Sequence, residues 1–466
     1  MPRNAKRPRS ANQPVVSLVS LGCAKNAVDS ECVLGDLARA GILIAEDPAD
    51  ADVCLVNTCG FIAEARAEAA ETLRELARLK ADGRLKAVVA LGCLVERVRD
   101  CAELDPVLRD ADARVGFKDY PRLPDICRRL AGLAKIETAD PRATTFLEYL
   151  RTPRLRIGHP HIAYLKISEG CSNRCRFCSI PLIRGSQVSR PMEVILDEAR
   201  ALAASGAREI DLIAQDTTSY GADLYGNYGL PGLLHRLREV SAPVWFRVMY
   251  AHPRHLTDEV LDVLANDDHF CPYIDLPLQH IADPLLRAMG RGMTREETAA
   301  LIRQIEQKLP HGALRTTFIV GYPGETEKDF QELLAFVREG HFSHVGVFTY
   351  SQEPGTPAAR LADDVPPTEK GRRRDELMLA QLDVSRARLR ARVGQTVEVM
   401  LDGFVAEGES GVEGVRAVGR SRLEAPEVDG VILLRGGSLD GVVPGTVLQA
   451  RVVDSLDYDL VAEPAI

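Results

Sequence analysis

The segment EGCSNRCRFCSIP, residues 169–181, sets Cys171, Cys175 and Cys178 in one short loop directly behind an apolar run, HIAYLKIS, that reads as a strand. Three is an awkward number of thiols. A structural zinc site takes four ligands, and a disulfide framework takes pairs. Three thiolates on one loop suit three irons of a four-iron cluster and leave the fourth iron without a protein ligand, open to a reacting molecule. The alternative is a zinc site completed by a distant fourth residue. A cysteine loop at a strand end belongs on the active face of a βα barrel, where the loops after the strands build the site.

The surrounding sequence supplies such a barrel. Between about 161 and 351, HIAYLKIS, REIDLIAQD, VWFRVMY, YIDLPLQ, LRTTFIVG and HVGVFTYS alternate with helical patterns such as PMEVILDEARALAAS and EKDFQELLAFVREG. Six βα units predict a partial barrel, smaller than the eightfold one. A charged helix follows, roughly Thr368–Arg392. Residues from about 15 to 125 alternate in the same way: VVSLVSLG, ADVCLVNTC and KAVVALGCL read as buried parallel strands, VDSECVLGDLARAG and Ala63–Lys80 as helices between them. Residues 139–160 carry no periodicity and read as a linker. After Val393 glycines multiply, strands shorten and helix signals vanish, which predicts a small antiparallel β-barrel. The expected fold class is α/β, with a parallel-sheet domain at 15–138, a linker at 139–160, a partial barrel with its trailing helix at 161–392 and the β-barrel at 393–466. A chain of 466 residues is too long for one core.

The net charge is −9, and residues 393–466 hold 13 acidic against 5 basic side chains, so one module carries nearly all of it. Nothing in the balance favours nucleic acid as a partner. The opening MPRNAKRPRSANQ lacks the apolar core of a signal peptide, and no run is long and apolar enough for a membrane helix. A cytoplasmic protein is expected. Eleven cysteines in a reducing compartment then point to metal or redox chemistry.

Cys23, Cys59 and Cys93 lie far apart in sequence, yet each ends a predicted parallel strand, in VSLGC, LVNTC and ALGC. Strand C-termini share one sheet edge, where ligands bind. Gly22, Gly60 and Gly92 beside them are expected to let a bulky ligand approach. A second cluster is one reading; three buried cysteines acting as small hydrophobes is the other. Cys32, Cys54, Cys101, Cys127 and Cys271 read as packing or surface residues. Gln215 and Asp216 end a barrel strand and face the active side, either to hold a cofactor or as a helix cap. Gly321, Gly324 and Glu325 follow another strand, either to admit a cofactor or as an ordinary turn. His280 reads as structural or as a donor to substrate, and Arg372 to Arg374 as a solvated helix face or an anion contact.

The cysteine loop resembles the signature of the radical S-adenosylmethionine superfamily, with Phe177 at its aromatic position. SLGCAKNAVDSE, NTCGFI and LGCL resemble the N-terminal domain of the methylthiotransferase family; DLPLQH, FIVGYPGET and SRPMEVILDE resemble its radical domain, and the acidic tail resembles its TRAM domain. The likeness runs from about 15 to 460. It implies two 4Fe–4S clusters: a radical cluster on Cys171, Cys175 and Cys178 whose open iron takes S-adenosylmethionine, and an auxiliary cluster on Cys23, Cys59 and Cys93 that serves sulfur insertion. Phe177, Gln215, Asp216, Gly321 and Glu325 are then the candidate cofactor contacts. The sequence is most similar to the bacterial branch that modifies ribosomal protein S-twelve. That branch converts C–H to C–S–CH3 at the β-carbon of an aspartate, with electrons from flavodoxin or ferredoxin. The rivals are methylthiolation of a tRNA adenosine and a non-catalytic iron–sulfur or zinc scaffold. An acidic tail repels RNA and attracts a basic ribosomal protein; a scaffold leaves two three-cysteine gaps unexplained.

Overall fold

Five parallel strands, β1 (Val15–Ser20), β2 (Leu43–Ile44), β3 (Val53–Thr58), β4 (Ala87–Gly92) and β5 (Ala113–Val115), form one sheet in the order β2-β1-β3-β4-β5. β3 and β4 are buried along their whole length, as a parallel sheet covered on both faces requires. The computed structural model describes residues 13–133, 146–151, 153–240, 242–406, 408–437, 439 and 441–465. Positions 139–145 and 152 of the expected linker lie outside these, as do the start of the N-terminal basic stretch and Glu407; a short helix, Phe146–Tyr149, occupies part of the rest of that linker.

Two sequence expectations shift here. The first helix runs over Ala24–Arg39, four residues ahead of the expected Val28, with Cys23 as its N-cap. Cys93 does not end a strand. Gly92, at φ +92°, stops β4, and Cys93 opens the helix Cys93–Asp100. A positive φ is open to glycine and unfavourable for other residues, so the glycine fixes the point where extended chain gives way to helix. The helix Ala63–Ala81 falls where its periodicity places it.

The chain divides into two units. The first holds residues up to Ile157 together with Ser179–Ser186 and Glu353–Gly355; the second holds Gly158–Cys178, Gln187–Gln352 and Thr356–Ile466. In the second unit β6 (Ile162–Lys166) is followed by a two-residue pair, β7 (Ser168–Glu169) and β8 (Val188–Ser189), that brackets the cysteine loop in sequence. All six expected barrel strands form: β6, then β9 (Glu209–Ile213), β10 (Trp245–Val248), β11 (Tyr273–Asp275), β12 (Ala313–Val320) and β13 (His344–Thr349). They make two parallel three-stranded sheets, β10-β9-β6 and β11-β12-β13. Leu165, Leu212, Phe246, Ile274 and Phe318 from five of these strands join the helices in one apolar core.

The trailing helix spans Pro367–Arg390. Its arginine run is not uniformly solvated: Arg372 and Arg374 are exposed, but Arg373 is buried and pairs with Glu369 at 2.8 Å and Glu325 at 3.4 Å. Beyond it, β14 (Thr396–Phe404), β15 (Val415–Arg420), β16 (Ile432–Arg435), β17 (Val447–Ser455) and β18 (Leu460–Pro464) close a barrel in the order β14-β15-β16-β18-β17. Its pairings are antiparallel except β16 with β18.

This small barrel is tied to the starts of the larger barrel's strands by charge. Arg420 reaches Glu209 at 2.7 Å, Arg247 donates to the Arg422 carbonyl at 2.9 Å, His161 meets Asp402 at 2.9 Å, and the Tyr273 hydroxyl and Arg315 both donate to Asp429. Glu424 is buried against Arg392 at 2.6 Å. Several tail acids expected to face a basic partner are thus spent inside the fold. Glu409 and Glu413 remain exposed. Among the described residues no helix is long and apolar enough to cross a membrane.

Candidate functional site

β1, β3 and β4 are neighbours in the first sheet, so the residues leaving them meet at one edge. Cys23 caps one helix, Cys93 begins another, and Cys59 follows β3. The positive ends of two helices therefore meet the thiols and favour negative charge there. The three sulfurs are close enough that Cys59 and Cys93 each feel the charge of Cys23, and Cys93 that of Cys59. Asn26 ties the edge together: its amide donates to the Leu21 carbonyl at 3.0 Å and the Thr58 carbonyl at 3.2 Å, and its oxygen accepts from Cys93 Sγ at 3.3 Å.

The glycines serve the protein rather than the ligand. A Cβ on Gly22, at φ +91°, would stand 2.9 Å from the Cys59 Cβ, and one on Gly60 would stand 2.8 Å from the Leu94 Cα. They let the cysteine-bearing turns approach one another, which corrects the expectation that they admit a bulky ligand.

Arg184 enters this edge from the segment after the cysteine loop. One guanidinium nitrogen, with two hydrogens to share, lies within hydrogen-bond distance of Asn26 Oδ1 at 2.7 Å, Asp29 Oδ2 at 2.9 Å and Cys93 Sγ at 3.1 Å. Desolvation opposes ionisation of Cys23, although that residue keeps exposed surface. Lys25, Arg184 and the backbone N–H groups of Asn26 and Lys25 outweigh it and hold the thiol below its ordinary value. Burial pushes Cys59 up and Cys93 up to about 12, against the pull of Arg184. Metal binding must displace those protons, because only thiolates ligate.

In the second unit the cysteine loop is pinned at Arg176, whose N–H donates to the Met289 carbonyl at 2.9 Å and whose carbonyl accepts from Ala358 at 3.0 Å. Phe177 packs against the apolar cluster that includes Met289, Tyr322 and Tyr350. The Cys178 N–H donates to the Cys175 carbonyl at 3.2 Å, and Cys171, raised by burial, feels the charge of Cys175. Buried Arg291 donates to Cys175 Sγ at 3.2 Å and to the Pro277 carbonyl at 2.6 Å. Neither Arg184 nor Arg291 was legible as a site residue, since both contacts span more than ninety residues of chain.

The polar candidates separate into two kinds. Gln215 donates to Glu169 at 2.7 Å, and Glu169 also accepts from buried Lys166 at 2.8 Å; the Gln215 oxygen is buried with no hydrogen-bond partner among the described residues. That atom is available to a ligand. Asp216 accepts from Asn173 and Thr218 at 2.7 Å each, from the Ser219 N–H at 3.2 Å and from His255 at 2.8 Å. Burial alone would raise its carboxyl, but His255, His252 and Thr218 hold it at about 2. It braces the turn after β9 beside a cavity of about 320 Å³ lined by Ser172, Asn173, Arg174, His252, His255 and Arg291. Glu325, in contrast, is committed within its own turn. Its carboxylate takes the Gly321 N–H, His280 at 3.5 Å and Arg373. Gly321, at φ +75°, has no room for a side chain, because a Cβ would strike the Lys370 side chain. His280 is structural, as its sequence setting suggests. Cys32, Cys54, Cys127 and Cys271 are buried, and Cys101 is half-buried beside Glu103.

The donor spacing distinguishes a cluster from a single ion. Zinc–sulfur bonds near 2.3 Å bring tetrahedral sulfurs to ~3.8 Å of one another. Among the described residues, the one group of three metal-binding side chains whose ligand atoms all lie within 4.8 Å of each other is Asp216, His252 and His255. Neither cysteine set closes that far, so neither is drawn in around a single tetrahedral ion. The histidine group is a poor cation site, because the Arg291 charge acts on His252 and Asp216 is already bonded to His255.

Residues 165–337 match the Radical SAM superfamily, 15–113 the Uncharacterized protein family UPF0004 and 393–465 the TRAM domain. A solved radical S-adenosylmethionine methyltransferase, TsrM from Kitasatospora setae, shares the fold at a TM-score of 0.51 and 16% identity, over 74% of this chain and 77% of that one. The chain is a radical S-adenosylmethionine enzyme that binds an iron–sulfur cluster and S-adenosylmethionine. It is 42% identical to the ribosomal protein uS12 methylthiotransferase RimO of Geobacter sulfurreducens, over 96% of this chain and 98% of that one. It is 43% identical to the protein of that name from Desulforudis audaxviator, over 97% of each. It belongs to the ribosomal protein uS12 methylthiotransferase family and is a radical S-adenosylmethionine methylthiotransferase.

Proposed function

We propose that the chain carries two 4Fe–4S clusters, a radical one on Cys171, Cys175 and Cys178 and an auxiliary one on Cys23, Cys59 and Cys93, and methylthiolates the β-carbon of an aspartate of ribosomal protein uS12. The carrying observation is the pair of three-cysteine sets, each too open for a single ion and each with one arginine on one sulfur. When bound, these groups supply reductive cleavage of S-adenosylmethionine and the sulfur to be inserted. The chain's residues do the rest. Arg291 and the Arg176 backbone anchors fix the radical loop, and the free Gln215 oxygen offers an acceptor to S-adenosylmethionine. Asp216 keeps the turn after β9 in place, and Phe177 presents its ring from an apolar bed. Gly321 and Glu325 hold the turn after β12, so their role toward the cofactor is to shape the backbone rather than to offer a carboxylate. The net change replaces C–H by C–S–CH3, with the methyl drawn from S-adenosylmethionine and electrons from a flavodoxin- or ferredoxin-type donor in the cytoplasm. The functional domains are 15–138, 161–392 and 393–466.

The test is an iron and acid-labile sulfide count after anaerobic reconstitution. About eight irons per chain are expected, falling to about four when either cysteine triad is changed to alanine. Zinc in place of iron, or a full iron count in either variant, would contradict the reading.

A further inference from the structure

We infer that Arg184 is a positioning residue of the sulfur site: it orients Cys93 and sets a fixed positive charge beside the cluster that Cys23, Cys59 and Cys93 hold. The inference rests on the two-cluster reading above.

Arg184 lies six residues after Cys178, yet its segment, Ser179–Ser186, packs within the first unit. Its side chain is 2% exposed and that of its partner Asp29 is fully buried. The guanidinium lies 4.8 Å from the centre of the Phe117 ring, which stacks on Phe146. Such a desolvated arginine is costly unless every contact is made, and here the contacts converge on Cys93, Asn26 and Asp29. The same charge reaches all three thiols. Among the described residues Lys25 acts on Cys23 and Glu68 on Cys59, and Asp29 pairs with Arg184 itself.

The consequence is electrostatic. A cluster on three thiolates gains negative charge with each electron, and a nearby cation shielded from water favours the reduced state. An N–H bond to a ligating sulfur acts in the same direction. Asp29 opposes both.

The measurement is a redox titration followed by electron paramagnetic resonance. It is made in a chain whose Cys171, Cys175 and Cys178 are alanine, so that only the auxiliary cluster reports. Arg184→Gln should move the oxidised-to-reduced ratio at least tenfold toward oxidised, ~59 mV to more negative potential for one electron. Arg184→Lys should recover most of the shift, and Asp29→Asn should move the midpoint the other way. If Arg184→Gln fails to hold iron, Asp29→Asn carries the test, because it keeps the arginine; an unmoved or more negative midpoint there overturns the inference. So does an unmoved midpoint in Arg184→Gln at full iron content. A background chain that binds no iron at all fails the two-cluster reading instead.

Discussion

The two three-cysteine sets proposed as cluster sites come together by opposite routes. Cys171, Cys175 and Cys178 share eight residues of chain, so their proximity is local and needs only the anchors at Arg176 and Arg291. Cys23, Cys59 and Cys93 come from three strand ends, and their proximity exists only because β1, β3 and β4 are adjacent and parallel. The first site is a property of a loop and the second of a fold. Single-residue damage should therefore be confined in the first, whereas backbone changes remote from any sulfur should reach the second.

The largest effect separates the sites directly. Cys175→Ala should reduce formation of 5′-deoxyadenosine from S-adenosylmethionine to background while about half the iron remains. Changing Cys23, Cys59 and Cys93 together to alanine should leave that cleavage running and remove the methylthiolated product. Chromatography of both products checks the pair, and loss of cleavage in the second variant would mean that the sites are not separable. Gly22→Ala sharpens the contrast. A side chain at φ +91° costs ~1–2 kcal/mol in strain, and its Cβ would press on Cys59. It should lower auxiliary iron without lowering cleavage, although every cysteine stays in place.

That contrast also explains what the sequence disclosed. The loop set of cysteines stood out in the sequence, because short spacing and a preceding strand mark it. The strand-edge site was legible only as three coincident strand ends. Even there Cys93 begins a helix, since the positive φ of Gly92 overrides the apolar run around it. The six barrel strands and the closed C-terminal barrel followed from their patterns. The arginines that touch Cys93 and Cys175 had no signal, because a contact across more than ninety residues leaves no periodicity. Tail charge misled in part: a count of acids does not reveal that Asp402, Glu424 and Asp429 are bound internally.

Those buried acids give a smaller, pH-dependent effect away from both sites. Burial alone would raise Asp429, but His344, Arg315, the Ala425 N–H and the Tyr273 hydroxyl hold it below the usual carboxylate range; Arg392 and Ser421 do the same for Glu424. A folded value below the unfolded one gives stability that is complete above about pH 4 and is lost as pH falls through the folded value. Asp429→Asn should cost ~3–5 kcal/mol in a urea titration at neutral pH. The gap to the parent should narrow in acid, and iron content should not change. The smallest effect belongs to the exposed acids. Glu409→Lys with Glu413→Lys should weaken uS12 binding a few-fold at low salt and hardly at all at high salt, since exposed charges are screened within about 8 Å at physiological ionic strength.

The most direct measurement gives the reconstituted enzyme, S-adenosylmethionine and a reductant to purified uS12 and, separately, to tRNA, and reads both by mass spectrometry. One methylthio group in place of hydrogen on a uS12 aspartate, absent when Cys23, Cys59 and Cys93 are alanine, is the predicted result. A methylthiolated tRNA adenosine with unmodified uS12 would contradict it.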